Sequence, residues 1–187
     1  MTTTYMAGVL AGAALICAAH PSVAQDKAKT EAAELARTSQ VALQQLYASV
    51  PLAKELGPKA LAILVFPKVT KAGLGIGGQY GEGALLKGGT AVGYYKTTGA
   101  SVGLQAGGQQ YGYAMLFMNA KAVEQLDNAK GFEVGVGPSV VLVDEGMAKT
   151  TTTTTLKDDI YAFVFGQKGL MAGLGIQGNK ITKITPK

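Results

Sequence analysis

Glycine alternates with larger aliphatic residues in three stretches of the chain, and this pattern restricts the possible folds more than any other feature. The alternation covers residues 73–77, 134–137 and 173–175. Because successive side chains of a β-strand point to opposite faces, one face of each such strand carries no side chain. A bare face permits sharp curvature or the close approach of another backbone. The pattern therefore predicts a tightly coiled β-sheet.

Short apolar runs separated by turn signals continue the β pattern from residue 61 almost to the C-terminus. The first run, Leu61–Phe66, is fully apolar and ends at Pro67, which is typical of a buried strand. Four later pairs are predicted hairpin connections: Gly88-Gly89, Thr98-Gly99, Gly107-Gly108 and Gly178-Asn179. Short strands joined by tight turns predict a strongly coiled, mostly antiparallel, glycine-rich sheet or a closed β-barrel.

The region before these strands has a helical pattern. Residues 25–50 are rich in alanine and free of glycine and proline, and their apolar residues recur at helical intervals. Pro51 fits the first turn of a second helix that ends near residue 57. The first helix could lie on a membrane, but packing against its own domain is favoured.

These patterns together predict one α+β domain over residues 25–187, with the N-terminal helices packed on the sheet. Residues 25–57 are assigned to the helices, and residues 60–187 are predicted to be mainly β. A short helix near residues 120–127 interrupts the strands, and Asn119 is its predicted N-cap.

The first 24 residues have the layout of a secretory signal peptide. Residues 6–19 are small and apolar, and small residues stand one and three positions before a predicted cut at Gln25. The apolar run is too short to span a bilayer comfortably, so a retained anchor is disfavoured. Lipid attachment at Cys17 is also disfavoured, because Ile16 is not a small residue. A periplasmic or exported location is therefore expected.

The predicted mature chain lacks two of the side chains most used in catalysis. The only histidine and the only cysteine, His20 and Cys17, both precede Gln25. Catalysis by imidazole or thiol and the common zinc sites are thereby excluded. The glycine runs lack the spacing of phosphate-binding loops, so neither a metal nor a cofactor is predicted.

The remaining candidates for catalysis are carboxylates and tyrosines. The adjacent pairs Asp144-Glu145 and Asp158-Asp159 are predicted to be solvated loop charges, because neighbouring side chains of a strand diverge. We therefore expect no enzymatic activity. The less favoured alternative is an enzyme that uses carboxylates or three tyrosines, Tyr80, Tyr94 and Tyr95.

Three sequence motifs follow one another in the body of the chain. Residues 63–73 read ILVFPKVTKAG and are followed by GGQYGEG at 77–83. Residues 101–109 read SVGLQAGGQ, and residues 161–173 read YAFVFGQKGLMAG. These motifs resemble, in this order, the opening, central and closing motifs of the SYLF domain family.

The resemblance implies a domain that binds phospholipids. Some eukaryotic members bind phosphoinositides and actin, but an exported bacterial copy would meet neither, so the lipid class stays open and actin binding is not expected. Lys68, Lys71 and Lys168 lie within the matching motifs and are predicted to contact anionic lipid headgroups. The alternative is that they are ordinary solvated lysines.

The net charge of +5 favours contact with an anionic membrane surface, although it also suits simple solubility. Nucleic-acid binding is not expected, because the chain has no tryptophan and its lysines are scattered. We therefore expect a non-enzymatic, peripherally membrane-associated, lipid-binding protein. The alternative is a periplasmic structural or protein-interaction module without a lipid ligand, whose binding would depend little on salt.

Overall fold

The structure is a computed structural model that describes residues 21–127, 131–134, 139–143, 158–169 and 179–186. Several sequence predictions fall outside these ranges. They include most of the signal peptide with Cys17, the glycine alternation at residues 173–175, and the pair Asp144-Glu145.

The N-terminal helices pack on the outer face of the sheet. Helix α1 spans Pro21–Ser49, and its Leu43 and Leu46 side chains are buried in a core shared with strand residues. Helix α2 spans Pro51–Leu56, with Pro51 in its first turn as predicted. The N-terminal part of α1 is mostly exposed, so α1 contacts the sheet through its C-terminal half.

Most of the sheet consists of one long antiparallel hairpin. Strand β1 spans Ala62–Lys87 and strand β2 spans Thr90–Phe117. The connection is the predicted Gly88-Gly89 turn, whose φ angles of 56° and 82° fit a tight hairpin.

Two of the predicted turns are wrong, because both lie inside β2. Thr98-Gly99 pairs with Tyr80 and Gln79, and Gly107-Gly108 pairs with Gly73 and Ala72, so short predicted runs merge into two long strands. The absence of a side chain at Gly99 leaves space for the side chains of Gln79 and Asn179. A Cβ there would lie 2.3 Å from the side-chain oxygen of Asn179.

After β2 comes helix α3, Ala120–Glu124. The predicted N-cap is confirmed, because the side chain of Asn119 accepts a hydrogen bond of 2.9 Å from the Ala122 amide. Four shorter strands follow, and they are β3 Phe132–Glu133, β4 Val140–Val143, β5 Ile160–Gly169 and β6 Lys180–Ile184.

The strand order is β3-β6-β2-β5-β4, with β1 also paired to β2. One end of β2 pairs with β6 and the other end with β5, both antiparallel, whereas β4 and β5 are parallel. The strands form a curled half-barrel, so the α+β, mostly antiparallel prediction is confirmed and the closed barrel is wrong. Among the described strands, β3 and β4 end the path and do not pair with each other.

The curl places the two halves of β1 against each other. A Cβ at Gly83 would lie 2.1 Å from the carbonyl oxygen of Val65, so only glycine permits this approach. Alternation along β1 then supplies two cores. Leu64 and Phe66 join the inner core, where the Phe66 and Tyr113 rings stack at 5.8 Å, and Val65 joins the outer core beneath the helices.

Candidate functional site

Strand alternation determines which face of β1 each candidate lysine occupies. From Lys68 to Glu82 the even-numbered residues are exposed, whereas Val69 and Lys71 are buried. Lys168 on β5 pairs with Gln110 of β2, and Gln110 also pairs with Thr70 of β1. Directly opposed residues of neighbouring strands point to the same face. Lys68 and Lys168 therefore lie on the same, helix-bearing face.

Two β-bulges position these lysines beside the same point of β2. On β1, Pro67 and Lys68 fill the register shift between Phe66 and Val69. On β5, a second shift lies opposite the step from Gln110 to Gly112. A bulge bends its strand and redirects a side chain, and proline is tolerated in one because ladder pairing is interrupted there.

The bulge on β5 depends on a glycine. Gly166 has φ of 60°, in the left-handed region that strains other residues. Next to it, the ring of Phe165 covers Gly112, where a Cβ would lie 2.5 Å from two ring atoms. Gly166 thus sets the direction of the last strand residues, including Lys168, while Phe165 provides an apolar wall.

Lys68 and Lys168 line one cleft of about 260 Å³ between α1, β1, β2 and β5. Their backbones are on strands that flank β2, roughly 10 Å apart at ordinary strand spacing. The other described residues that line the cleft are uncharged, and they are Gln45, Pro67, Gln110, Tyr111, Gly112, Phe165 and Gly166.

The cleft is electropositive and has additional donors. Within the part of the chain that the structure describes, neither lysine forms an ion pair. The amide side chains of Gln45 and Gln110, both exposed, also line the cleft. Two ammonium groups and two carboxamides are a suitable donor set for a phosphate or carboxylate group.

Lys71 does not reach this cleft. It pairs with Gln109 on the inner face of the sheet, and only 4% of its surface is exposed. The structure thus brings together two of the three predicted lysines and separates the third. The sequence analysis missed Gln45 and Gln110, for which the only available signal was the position of Gln110 directly after the central motif.

A second cleft, of about 360 Å³, lies on the other side of Lys68. It is lined by Leu35 and Thr38 of α1 and by Tyr80 and Glu82 of β1. The Tyr80 hydroxyl donates a hydrogen bond to the Glu82 carboxylate, which raises the pKa of Tyr80 to about 12. Because a carboxylate repels an anion, the cleft with Lys168 is the better candidate for an anionic group.

The three tyrosines considered for catalysis lie in different environments. Tyr95 is buried in the inner core, Tyr94 packs against the outer core, and Tyr80 is half exposed. Among the described residues, no three His, Cys, Asp or Glu side chains form a group that could hold a metal ion.

Asp159 of the second carboxylate pair has a structural role. Its carboxylate accepts hydrogen bonds from the side chain of Asn119 at 2.6 Å and from the amide of Ser139 at 3.0 Å. These bonds lower the pKa of Asp159 and join the α3 cap to the start of β4. The Asp159 carboxylate therefore connects the segments before α3 and β4 through hydrogen bonds.

No helix in the described ranges is both long and apolar enough to cross a membrane. No curated protein matches the chain. Residues 98–185 match the family model described as Ysc84, Las17-binding protein actin regulator. This range contains the central and closing motifs together with Gln110 and Lys168, whereas Lys68 precedes it. Residues 98–185 therefore belong to the SYLF, or Ysc84, domain family.

Proposed function

We propose that this domain binds anionic phospholipid headgroups at a membrane surface, without catalysing a reaction, through the cleft of Lys68 and Lys168. The observation that supports this function best is the convergence of two motif lysines on one cleft, to which the described part of the chain contributes no carboxylate. Each ammonium group contacts a phosphate as a mobile point charge. The amide groups of Gln45 and Gln110 supply neutral donors to the remaining phosphate oxygens.

The expected strength of this interaction is modest. A lysine close to an anionic membrane contributes about 1 kcal/mol, so two lysines strengthen binding roughly 30-fold. The net charge of +5 adds a longer-range attraction that salt screens. Such values suit a peripheral protein that binds the membrane reversibly.

The proposed location is the periplasm or the exterior of a bacterial cell, at the membrane surface. The leader-like layout of residues 1–24 supports export. At such a surface, the headgroup phosphate of membrane phospholipids is the anionic group that the cleft binds.

Co-sedimentation of the purified protein with vesicles tests this proposal. Neutral phosphatidylcholine vesicles are compared with vesicles that contain phosphatidylglycerol, each at low and at high salt. We expect binding to the anionic vesicles that weakens as salt is added. Protein that stays in the supernatant with both vesicle types would exclude the headgroup site.

A protein-interaction module is the second candidate, because the description of the matching family names a Las17-binding protein. On this alternative, the glycine-rich half-barrel recruits another protein and lipid plays no part. Binding would then survive high salt and would not require vesicles. Affinity capture of partners at high salt, with and without phosphatidylglycerol vesicles, discriminates between the two functions.

A further inference from the structure

Among the residues that the structure describes, two of the most exposed aliphatic side chains lie close together on β1. Leu74 is 81% exposed and Ile76 is 73% exposed. Isolated aliphatic residues on a surface are common, but two large ones on the same face of one strand form a small apolar protrusion. We call residues 74–76 the apolar corner.

The corner lies where β1 bends sharply. A Cβ at Gly73 would lie 2.3 Å from the Cα of Gly77, although four residues of a regular strand span about 13 Å. The register with β2 also shifts here, because Leu74 pairs with Ala106 and Ile76 pairs with Val102. The strand therefore doubles back at this point, and its two aliphatic side chains project from the bend.

The surrounding strand pair carries no charge. Residues 72–81 of β1 contain no charged side chain, and neither do residues 97–120, which include most of β2. Elsewhere on β1 charged residues recur, with Lys68 and Lys71 before this stretch and Glu82 after it. An uncharged, protruding bend of this kind can enter a medium from which charged groups are excluded.

The corner is continuous with the cleft that carries the proposed headgroup site. Leu74 belongs to the same exposed row of β1 as Lys68, and Ile76 is exposed just beyond the bend. Lys168 of β5 pairs with Gln110 of β2. Leu74 pairs with Ala106 of β2, which is only four residues from Gln110. That distance is about 13 Å along a strand, so one membrane surface can contact both features.

We propose that the apolar corner inserts into the boundary between headgroups and acyl chains of the same bilayer whose headgroups bind in the cleft. This inference rests on the proposed function and adds an apolar contact to it. Apolar faces of peripheral proteins enter this boundary by about 5–10 Å, a depth that two side chains on a bend can reach. Their transfer from water makes part of the binding insensitive to salt.

Replacement of both aliphatic residues by serine measures the size of this contact. Burial of one leucine or isoleucine side chain strengthens binding about ten-fold. The double variant L74S/I76S should therefore weaken vesicle binding roughly 10- to 100-fold. The loss should persist at high salt. Leu61→Ser is the matched control, because Leu61 is 53% exposed and directly precedes the first residue of β1, whereas the corner lies in the middle of that strand.

The chain has no tryptophan, so Leu74→Trp creates a single fluorescent reporter at the corner. The purified full-chain protein is mixed with phosphatidylglycerol-containing vesicles, some of which carry lipids brominated near the headgroup. We expect emission of the introduced tryptophan to shift to shorter wavelength and to be quenched by the brominated lipids. The control Leu61→Trp should show neither change.

Each outcome bears on one proposal or on both. Vesicle binding by Leu74→Trp without quenching of its tryptophan overturns insertion and leaves the headgroup site intact. Quenching of this reporter, together with normal binding by Lys68→Gln and Lys168→Gln, supports insertion and overturns the cleft. Absence of binding to every vesicle overturns both. A blue shift that grows with protein concentration without vesicles shows that a second copy covers the corner, and it also overturns insertion.

Discussion

Lys68 and Lys168 line the same cleft because each lies in or beside a β-bulge and the two bulges face the same segment of β2. Neither lysine alone marks a site, since exposed lysines are common on any surface. Their convergence joins the opening and closing motifs of the domain in one electropositive cleft. The relationship also predicts that the two lysines act together on an anionic ligand.

The first prediction concerns both lysines of the cleft. Lys68→Gln and Lys168→Gln should each weaken binding to phosphatidylglycerol vesicles about five-fold, and the double variant about 30-fold, because each removes about 1 kcal/mol of attraction. Co-sedimentation at low salt measures these changes. The wild-type protein at high salt should approach the affinity of the double variant.

Lys87→Gln is the control for a general loss of charge. Lys87 is exposed at the Gly88-Gly89 turn and does not line the cleft. If this variant loses as much affinity as Lys68→Gln, total charge accounts for binding and the cleft has no special role.

A second prediction separates the bulge from the lysine that it positions. Gly166→Ala should lower the free energy of unfolding by about 1 kcal/mol, because alanine is strained at this backbone conformation. It should also weaken vesicle binding, because Lys168 is redirected. Urea denaturation and co-sedimentation measure the two effects.

Gly88→Ala is the control for this variant, because Gly88 and Gly166 have nearly the same positive φ angle. Gly88 has a φ of 56°, and no described residue lies within 4 Å of the position of a Cβ. The Gly88→Ala variant should lose a similar amount of free energy of unfolding and should bind vesicles normally. Equal losses of binding in both variants would contradict a specific role for the β5 bulge.

Local sequence patterns predicted the elements whose cause is also local. Asn119 caps α3 through its own side chain, Pro51 begins α2, and Gly88-Gly89 forms a tight turn. The turns predicted at Thr98-Gly99 and Gly107-Gly108 failed because both pairs continue the pairing of β2 with β1 and do not reverse the chain. At Gly99 the free space is filled by side chains of residues 79 and 179, which no local window contains.

The cleft was predictable only in part. The motif resemblance identified three lysines, but the face that each occupies depends on the register of β1 against β2. Lys68 and Lys71 are three positions apart, so simple alternation places them on opposite faces. Gln45 joins the cleft through the packing of α1, which a strand motif does not encode.

A third prediction concerns stability at acidic pH. Hydrogen bonds from Asn119 and Ser139 hold the pKa of Asp159 below its usual value of 3.8. The ionised carboxylate is thus favoured in the folded state. Its contribution to the free energy of unfolding is fully present above pH 3.8 and is lost as the pH falls through the lowered pKa. Asp159→Asn should lower stability at neutral pH and flatten this acid dependence.

Asp158→Asn is the neighbouring control for the acid dependence. The side chain of Asn119 and the amide of Ser139 donate their hydrogen bonds to the carboxylate of Asp159, so the Asp158 variant should keep the wild-type pH profile. Thermal unfolding between about pH 3 and pH 7, followed by circular dichroism, compares the three proteins. An unchanged profile in Asp159→Asn would assign the acid dependence to other carboxylates.

The last prediction uses two tyrosines on one face of β2 that differ in their hydrogen bonds. The Tyr111 hydroxyl donates to the side-chain oxygen of Gln79 at 2.9 Å. The buried hydroxyl of Tyr113 has no hydrogen-bond partner in the described structure, although its ring stacks on Phe66. A buried hydroxyl without a partner costs about 1–3 kcal/mol of desolvation.

Tyr113→Phe should therefore leave the free energy of unfolding unchanged or raise it by about 1 kcal/mol, because the stacked ring is kept. Tyr111→Phe should lower it by about 1–2 kcal/mol, since the buried Gln79 oxygen loses its donor. Urea denaturation of both variants provides the comparison. A clear loss of stability in Tyr113→Phe would show that water or a polar group satisfies this hydroxyl within the half-barrel, which would make the inner core wetter than its apolar residues imply.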